Sequence, residues 1–257
     1  MKTRYSIVTA IILAALSSTA SAQLLYNSTS DFNAMGTAGT TMPPGWSFWY
    51  INGSSSNLDI PTSADMATAV QGSQVLTVWN ATDGATLFSS RAAGFYAGNE
   101  GSTATDPNRL LGTSPTQVRG DILQLSLANT TGAAITTFSL SYNMSFMAPG
   151  TLKDGYPANS TEELPGYNFY YLDGSTWTYD PSLSVASAGQ GSDTITLAHP
   201  VANGGNLQFA WFDDDADPFS PDDMYAIGNV NVEVPEPAAL SLFAVGALAL
   251  MFRRRKA

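Results

Sequence analysis

Between residues 136 and 146 the chain alternates without a break. Phe138, Leu140, Tyr142, Met144 and Phe146 fall on one side, and Thr137, Ser139, Ser141, Asn143 and Ser145 on the other. Successive side chains of a strand point to opposite faces, so a run of this length predicts one buried and one wet face. That is the pattern of an antiparallel sheet, because parallel sheets bury both faces and read as continuous apolar runs. Residues 121–128 repeat it, with Ile122, Leu123, Leu125 and Leu127 apolar and Gln124, Ser126 and Ala128 between. Turn chemistry sits between the two in Asn129-Thr130-Thr131-Gly132, and Leu172-Asp173-Gly174-Ser175-Thr176-Trp177 predicts a hairpin with Asp-Gly at its turn.

The rest of residues 23–234 supports the same class. No amphipathic helix of three turns or more is found there. Short runs with strand chemistry at 74–79, 85–88, 167–172, 194–197, 206–212 and 226–234 are separated by Gly, Asn, Asp, Ser and Pro clusters. Eight or more short strands without helices predict an all-β fold, a jelly-roll-like antiparallel β-sandwich in one domain. Residues 23–73 are the hardest to place. Pro43-Pro44-Gly45 interrupts them, and the aromatic residues Trp46, Phe48, Trp49 and Tyr50 that follow read as a loop-like segment.

Both ends differ from the middle. Lys2 and Arg4, an apolar run over residues 7–16 and the small residues Ala20-Ser21-Ala22 describe a secretory signal helix in residues 1–22, cut by signal peptidase after Ala22. At the other end Val234-Pro235-Glu236-Pro237 stops the last strand, since proline donates nothing to a sheet ladder. Residues 238–252 then carry no charge, and Arg253, Arg254, Arg255 and Lys256 follow. As a transmembrane helix the apolar stretch would be roughly 22 Å long against a hydrocarbon core of about 30 Å, so flanking residues must snorkel or the bilayer thin. The basic end would stay cytoplasmic and the domain outside.

With the ends set aside, residues 23–234 hold only Arg91, Arg109, Arg119 and Lys153 against 20 acidic residues, a net charge of −16. Nucleic acid is excluded as a partner, because its binding needs a basic footprint. The chain has no cysteine, which removes thiol chemistry and cysteine-bound metals.

Pro235-Glu236-Pro237, an apolar helix and an Arg-rich end, in that order, resemble the PEP-CTERM sorting signal of exopolysaccharide-producing bacteria. The resemblance implies that an exosortase, a membrane transpeptidase, recognises the tail and processes it near residues 235–237. Arg253, Arg254 and Arg255 belong to the same signal. Residues 235–257 would anchor the chain transiently in the inner membrane before it reaches the cell surface or the extracellular matrix. In the ectodomain, residues 106–112, 127–132 and 135–142 resemble a β-sandwich domain that recurs in secreted proteins carrying this tail. Residues 211–217 and 225–230 resemble its closing strand pair, with Ile-Gly-Asn-Val where Ile-Asp-Asp-Val is usual.

Two clusters suggest chemistry. Asp213, Asp215 and Asp217 alternate, and Asp222 and Asp223 follow shortly after. Crowded oxygen ligands would suit Ca²⁺, although no EF-hand loop is completed; a solvated acidic loop is the other reading. Trp46, Trp49, Tyr50 and Trp177 would suit a platform on which sugar rings stack, and core packing is the alternative. Hydrolysis has little support. His199, the single histidine, precedes Pro200 and belongs to no nucleophile elbow, and Glu162 and Glu163 are adjacent rather than opposed. The expectation is therefore a non-enzymatic surface or matrix protein. A carbohydrate-binding module holding exopolysaccharide is the alternative, and a secreted hydrolase is less favoured.

Overall fold

The computed structural model describes residues 22–27, 32–35, 39–53, 60–78, 95–99, 109–115, 118–148, 166–215 and 223–235. Its elements run β1 (Ala22–Asn27), β2 (Trp46–Ile51), α1 (Ser63–Met66), β3 (Val70–Gln71), β4 (Thr77–Val78), β5 (Phe95–Asn99) and β6 (Arg109–Thr113). There follow β7 (Gly120–Ala128), β8 (Ile135–Ala148), β9 (Tyr167–Asp173), β10 (Thr176–Val185), β11 (Gly189–Val201), β12 (Asn206–Asp214) and β13 (Met224–Pro235). They form two sheets. One has the order β11-β8-β13-β6-β5-β4, with β1 added to β13, and the other the order β10-β9-β12-β7-β2-β3. All the pairings are antiparallel except β4 with β5. The fold is all-β and sandwich-like.

The alternation in β8 does what its period demands. Phe138, Leu140, Tyr142 and Met144 are buried between the sheets, and the intervening residues are half-buried. Phe146, the last of the series, breaks the rule at 47% exposure and meets only the edge of the Tyr225 ring at 5.8 Å. In β7 the inner face carries Leu123, Leu125 and Leu127. Trp211 of β12 sits at the centre of the inter-sheet core. It stacks on Trp46 at 5.3 Å and meets Tyr142 and Phe169 edge-on at 5.6 and 5.2 Å. Truncating a buried aromatic of this size typically costs about 3–5 kcal/mol, so this cluster anchors one sheet on the other.

The turn between β7 and β8 crosses from one sheet to the other. Asn129 is fully buried there, its Nδ2 donating to the carbonyls of Ala133 and Val201 at 2.7 and 2.9 Å. The Asp-Gly hairpin joins β9 to β10 at Gly174 and Ser175, with Gly174 at φ 65°. β11 is longer than the sequence suggested: it runs from Gly189 to Val201 and pairs with β8 almost throughout. β12 and β13 follow one another but lie in opposite sheets, so they are not paired with each other. Expected strand 85–88, the signal segment before Ala22 and the tail beyond Pro235 lie outside the described residues.

The run 46–50 is a strand and not a loop. β2 pairs with β7 from Trp46↔Leu125 to Ile51↔Gly120. Its period is hidden because both faces are apolar. Trp46 and Phe48 enter the inter-sheet core, while Trp49 and Ile51 face outward onto a second, smaller cluster. That outer cluster includes Ile122, Tyr170, Ala210, Phe212 and Met66, and it decides where the candidate site lies.

Candidate functional site: an aromatic groove on the outer sheet face

The outer face of the β10-β9-β12-β7-β2-β3 sheet is partly roofed by α1. This single turn is held by a reciprocal cap: Thr62 Oγ1 accepts from Asp65 N, and the Asp65 carboxylate accepts from Thr62 N at 2.8 Å. Hydrogen bonds from Thr62 hold the Asp65 carboxyl below the usual carboxylate range, with the Arg119 guanidinium at 2.9 Å adding to them. Ser63 Oγ accepts from the Trp177 backbone N–H at 2.9 Å, which fixes α1 against β10. Beside α1 the sheet surface stays open.

That opening is a groove of about 250 Å³ lined by Trp49, Ile122, Gln124, Trp177, Gln208 and Ala210, with Met66, Ala67 and Ala69 along one wall. Ligand-engulfing pockets run to about 300–1,000 Å³, so this one supports one side of a ligand and does not enclose it. Gln124 Nε2 donates to Gln208 Oε1 at 2.9 Å across β7 and β12, and Trp49 Nε1 donates to Ser47 Oγ at 2.9 Å. Both tryptophans are half-buried, their remaining surface available at the groove. Among the described residues that line it, none is charged or titratable.

The four expected platform residues are therefore divided. Trp49 and Trp177 are brought together from strands far apart in sequence. Trp46 is a correction: it is 5% exposed in the inter-sheet core, packed on Trp211 and Phe32, with Nε1 donating to Tyr26 Oη at 2.6 Å, so no ring face is left for a sugar. Tyr50 follows Trp49 on β2 and so takes the opposite face, in register with Asp121. Gln124, Gln208 and Ala210 were not singled out as functional in the sequence. Their only signal there was strand alternation, and it becomes informative once β7 and β12 are known to be neighbours.

The acidic cluster is not the solvated loop that one reading expected. Asp213, Asp214 and Asp215 are all buried at 0–1% exposure, because β12 runs on through Asp214 instead of ending at Phe212. Asp213 faces between the sheets and accepts a hydrogen bond from Thr113 Oγ1 of β6. Asp215 accepts from Val118 N at 2.9 Å. Asp121 is the cross-strand partner of Asp213 and is itself 1% exposed. Neither of its carboxylate oxygens has a hydrogen-bond partner among the described residues. Burial, and then the charge of Asp215, push the Asp121 carboxyl well above the usual carboxylate range. The Tyr167 hydroxyl, 2.7 Å from Thr113 Oγ1, is pushed up by burial and by Asp213. Among the described residues no group of three such side chains is placed to hold a metal ion. Asp217 and Asp222 lie outside the described residues, and Asp223 is half-buried just before β13.

His199 is at the surface beside the β9–β10 turn, its Nδ1 3.1 Å from Asp173 Oδ1 and its backbone N–H donating to the same oxygen at 2.7 Å. That contact ties the turn to β11. The described residues contain no helix long and apolar enough to cross a membrane.

No protein of curated function matches the chain in sequence. Solved structures with a related outline include the apo form of a cyclase from Fischerella sp., 14% identical, covering 85% of this chain and 98% of that one at a TM-score of 0.43. The xylan-binding domain CBM22-1 from Paenibacillus barcinonensis is 14% identical, covering 51% of this chain and 75% of that one at a TM-score of 0.26. TmCBM61, solved in complex with β-1,4-galactotriose, is 8% identical, covering 49% and 70% at a TM-score of 0.29. These likenesses are too loose to carry an argument about ligand or activity. The C-terminus is different, because the family model for the PEP-CTERM protein-sorting motif matches residues 233–256 and so begins inside β13. The chain thus carries on the last strand of its sandwich a PEP-CTERM protein-sorting motif, the C-terminal signal of exported proteins processed by exosortase.

Proposed function

We propose that the chain is a non-enzymatic protein of the cell surface or extracellular matrix that holds a polysaccharide on the outer face of its six-stranded sheet. The observation that carries this reading is that Trp49 and Trp177 line one groove together with the hydrogen-bonded Gln124–Gln208 pair. A sugar ring has an apolar face and a rim of hydroxyls. Indole surfaces match the first, and side-chain amides, which both donate and accept, match the second. A largely apolar groove with a few convergent polar groups is the usual form of a small-molecule site. The described residues of the lining include no carboxylate, which favours binding over glycoside hydrolysis, a reaction that needs two.

The rest of the proposal concerns delivery. Residues 1–22 act as the signal peptide, residues 23–234 as the ectodomain, and residues 235–257 as the exosortase address, with 238–252 its membrane helix. Cleavage after Ala22 leaves Gln23 still in register with Val234, so the mature chain keeps nearly all of β1. The jelly-roll-like connectivity is supported by the order in which β7, β8, β9, β11, β12 and β13 alternate between the two sheets.

Glycan arrays and polysaccharide pull-downs with the purified full chain test the reading. Binding is expected, and Trp177→Ala or Trp49→Ala should weaken it about tenfold or more, the loss of a stacking surface of this size. Absence of binding to every glycan, or binding indifferent to both substitutions, would sink it.

A further inference from the structure

The charges around the groove say which polysaccharides it takes. We infer that the site selects a neutral glycan and refuses chains bearing uronate, sulfate or other acidic groups. The inference rests on the carbohydrate reading above and goes further by naming the chemical class.

The lining itself is neutral. Trp49, Gln124, Trp177 and Gln208 offer stacking surface and neutral hydrogen-bonding groups, with no cation among them. An acidic sugar entering the groove would lose part of its hydration shell and find only amide N–H groups in return. One of those, on Gln124, is already engaged by Gln208. Desolvating a carboxylate without a cationic partner is strongly unfavourable.

Little positive charge is on hand among the described residues. Arg109 is 2% exposed and faces away from solvent altogether. Arg119 is 9% exposed and its guanidinium is 2.9 Å from Asp65 on α1, the element that walls the groove. Among the described residues, then, no exposed lysine or arginine could reach a bound anion. α1 itself carries Asp65, which is not a lining residue; its side chain is 34% exposed, and Thr62 and Arg119 keep its carboxyl below the usual range.

The field of the whole ectodomain acts in the same direction. Residues 23–234 carry four basic and 20 acidic residues, so an acidic polymer is repelled as it approaches. That repulsion is screened over about 8 Å at physiological salt, so it slows encounter more than it sets the bound state. The uncharged lining determines the bound state. The two effects have the same sign.

Matched polymers test this: hydroxyethylcellulose against carboxymethylcellulose, and unsubstituted xylan against glucuronoxylan, each by affinity electrophoresis of the full chain at low and high salt. At least one neutral polymer is expected to retard the protein to a similar degree at both salt levels, with retardation abolished in Trp177→Ala. Its acidic counterpart should bind about tenfold more weakly or not at all. Gln124→Lys, on the half-buried side of β7, places a cation in the groove and should raise binding of the acidic member while lowering that of the neutral one. Equal or tighter tryptophan-dependent binding of the acidic member would overturn the neutral-glycan inference and leave the carbohydrate reading standing. No retardation by any polymer would remove both.

Discussion

Asp121 is the residue at which this sandwich is most exposed to pH. Its carboxyl is buried, unpartnered among the described residues and close to the charge of Asp215. The folded chain therefore holds a proton that the unfolded chain releases at the ordinary value of about 3.9. Folding binds protons above that pH, so stability falls as pH rises from about 4 toward the raised value. Asn has nearly the same shape and no charge. Asp121→Asn is expected to stabilise the fold at pH 7 by about 1–3 kcal/mol, with the gain fading toward pH 4, as measured by denaturant unfolding across pH. A loss of stability at pH 7 would mean that the carboxylate is neutralised by something that binds there. Nothing in the sequence alone marks Asp121 as buried. Asp121 reads as the polar start of an alternating strand, and its neighbour Asp213 is 92 positions away.

At the scale of elements, legibility followed the solvent. β8 and the second half of β7 show their period because one face is wet, and both were readable from alternation alone. β2 was not, because its two faces enter two different apolar clusters and the pattern vanishes. Trp49 and Trp177 could be picked out by type, but their partnership depends on strand order. In the six-stranded sheet β10 and β2 lie three strands apart, with β9, β12 and β7 between them. The small element α1 is where a local change should reach the groove. Thr62→Ala removes the hydroxyl that accepts from Asp65 N and donates to the Asp65 carboxylate, leaves the backbone half of the cap, and is expected to destabilise α1 by about 1 kcal/mol. Since Met66, Ala67 and Ala69 form one wall, glycan affinity should fall with little change in global melting temperature. Unaltered affinity in titration calorimetry would show that the wall does not shape the site.

At the scale of the whole molecule, the two ends of the described chain are neighbours. β1 pairs with the last stretch of β13 from Ala22↔Pro235 to Asn27↔Asn231, so the segment after the expected signal cleavage closes the strand that leads into the sorting motif. Val232 and Val234 of that stretch are buried in the core, which leaves no spacer between sandwich and motif. Deleting residues 23–27 should unpair that edge. The melting temperature is expected to fall by roughly 2–4 °C for each kcal/mol lost, and limited proteolysis should now cut near residues 231–235, where the intact chain resists. Resistance unchanged by the deletion would show that this last stretch of β13 is held by β8 without help from β1.

The same pairing governs how the domain bears force. Were the chain held by its tail and by a polymer at the groove, as proposed above, tension would enter at Pro235 on one sheet and at the groove on the other. The ladder bonds of β13 to β8 and β1 lie across the strand axis. They are sheared together instead of being unzipped one by one. With the anchoring and the polymer binding proposed above, the sandwich would act as a mechanical link, loaded through a strand that is hydrogen-bonded on both sides.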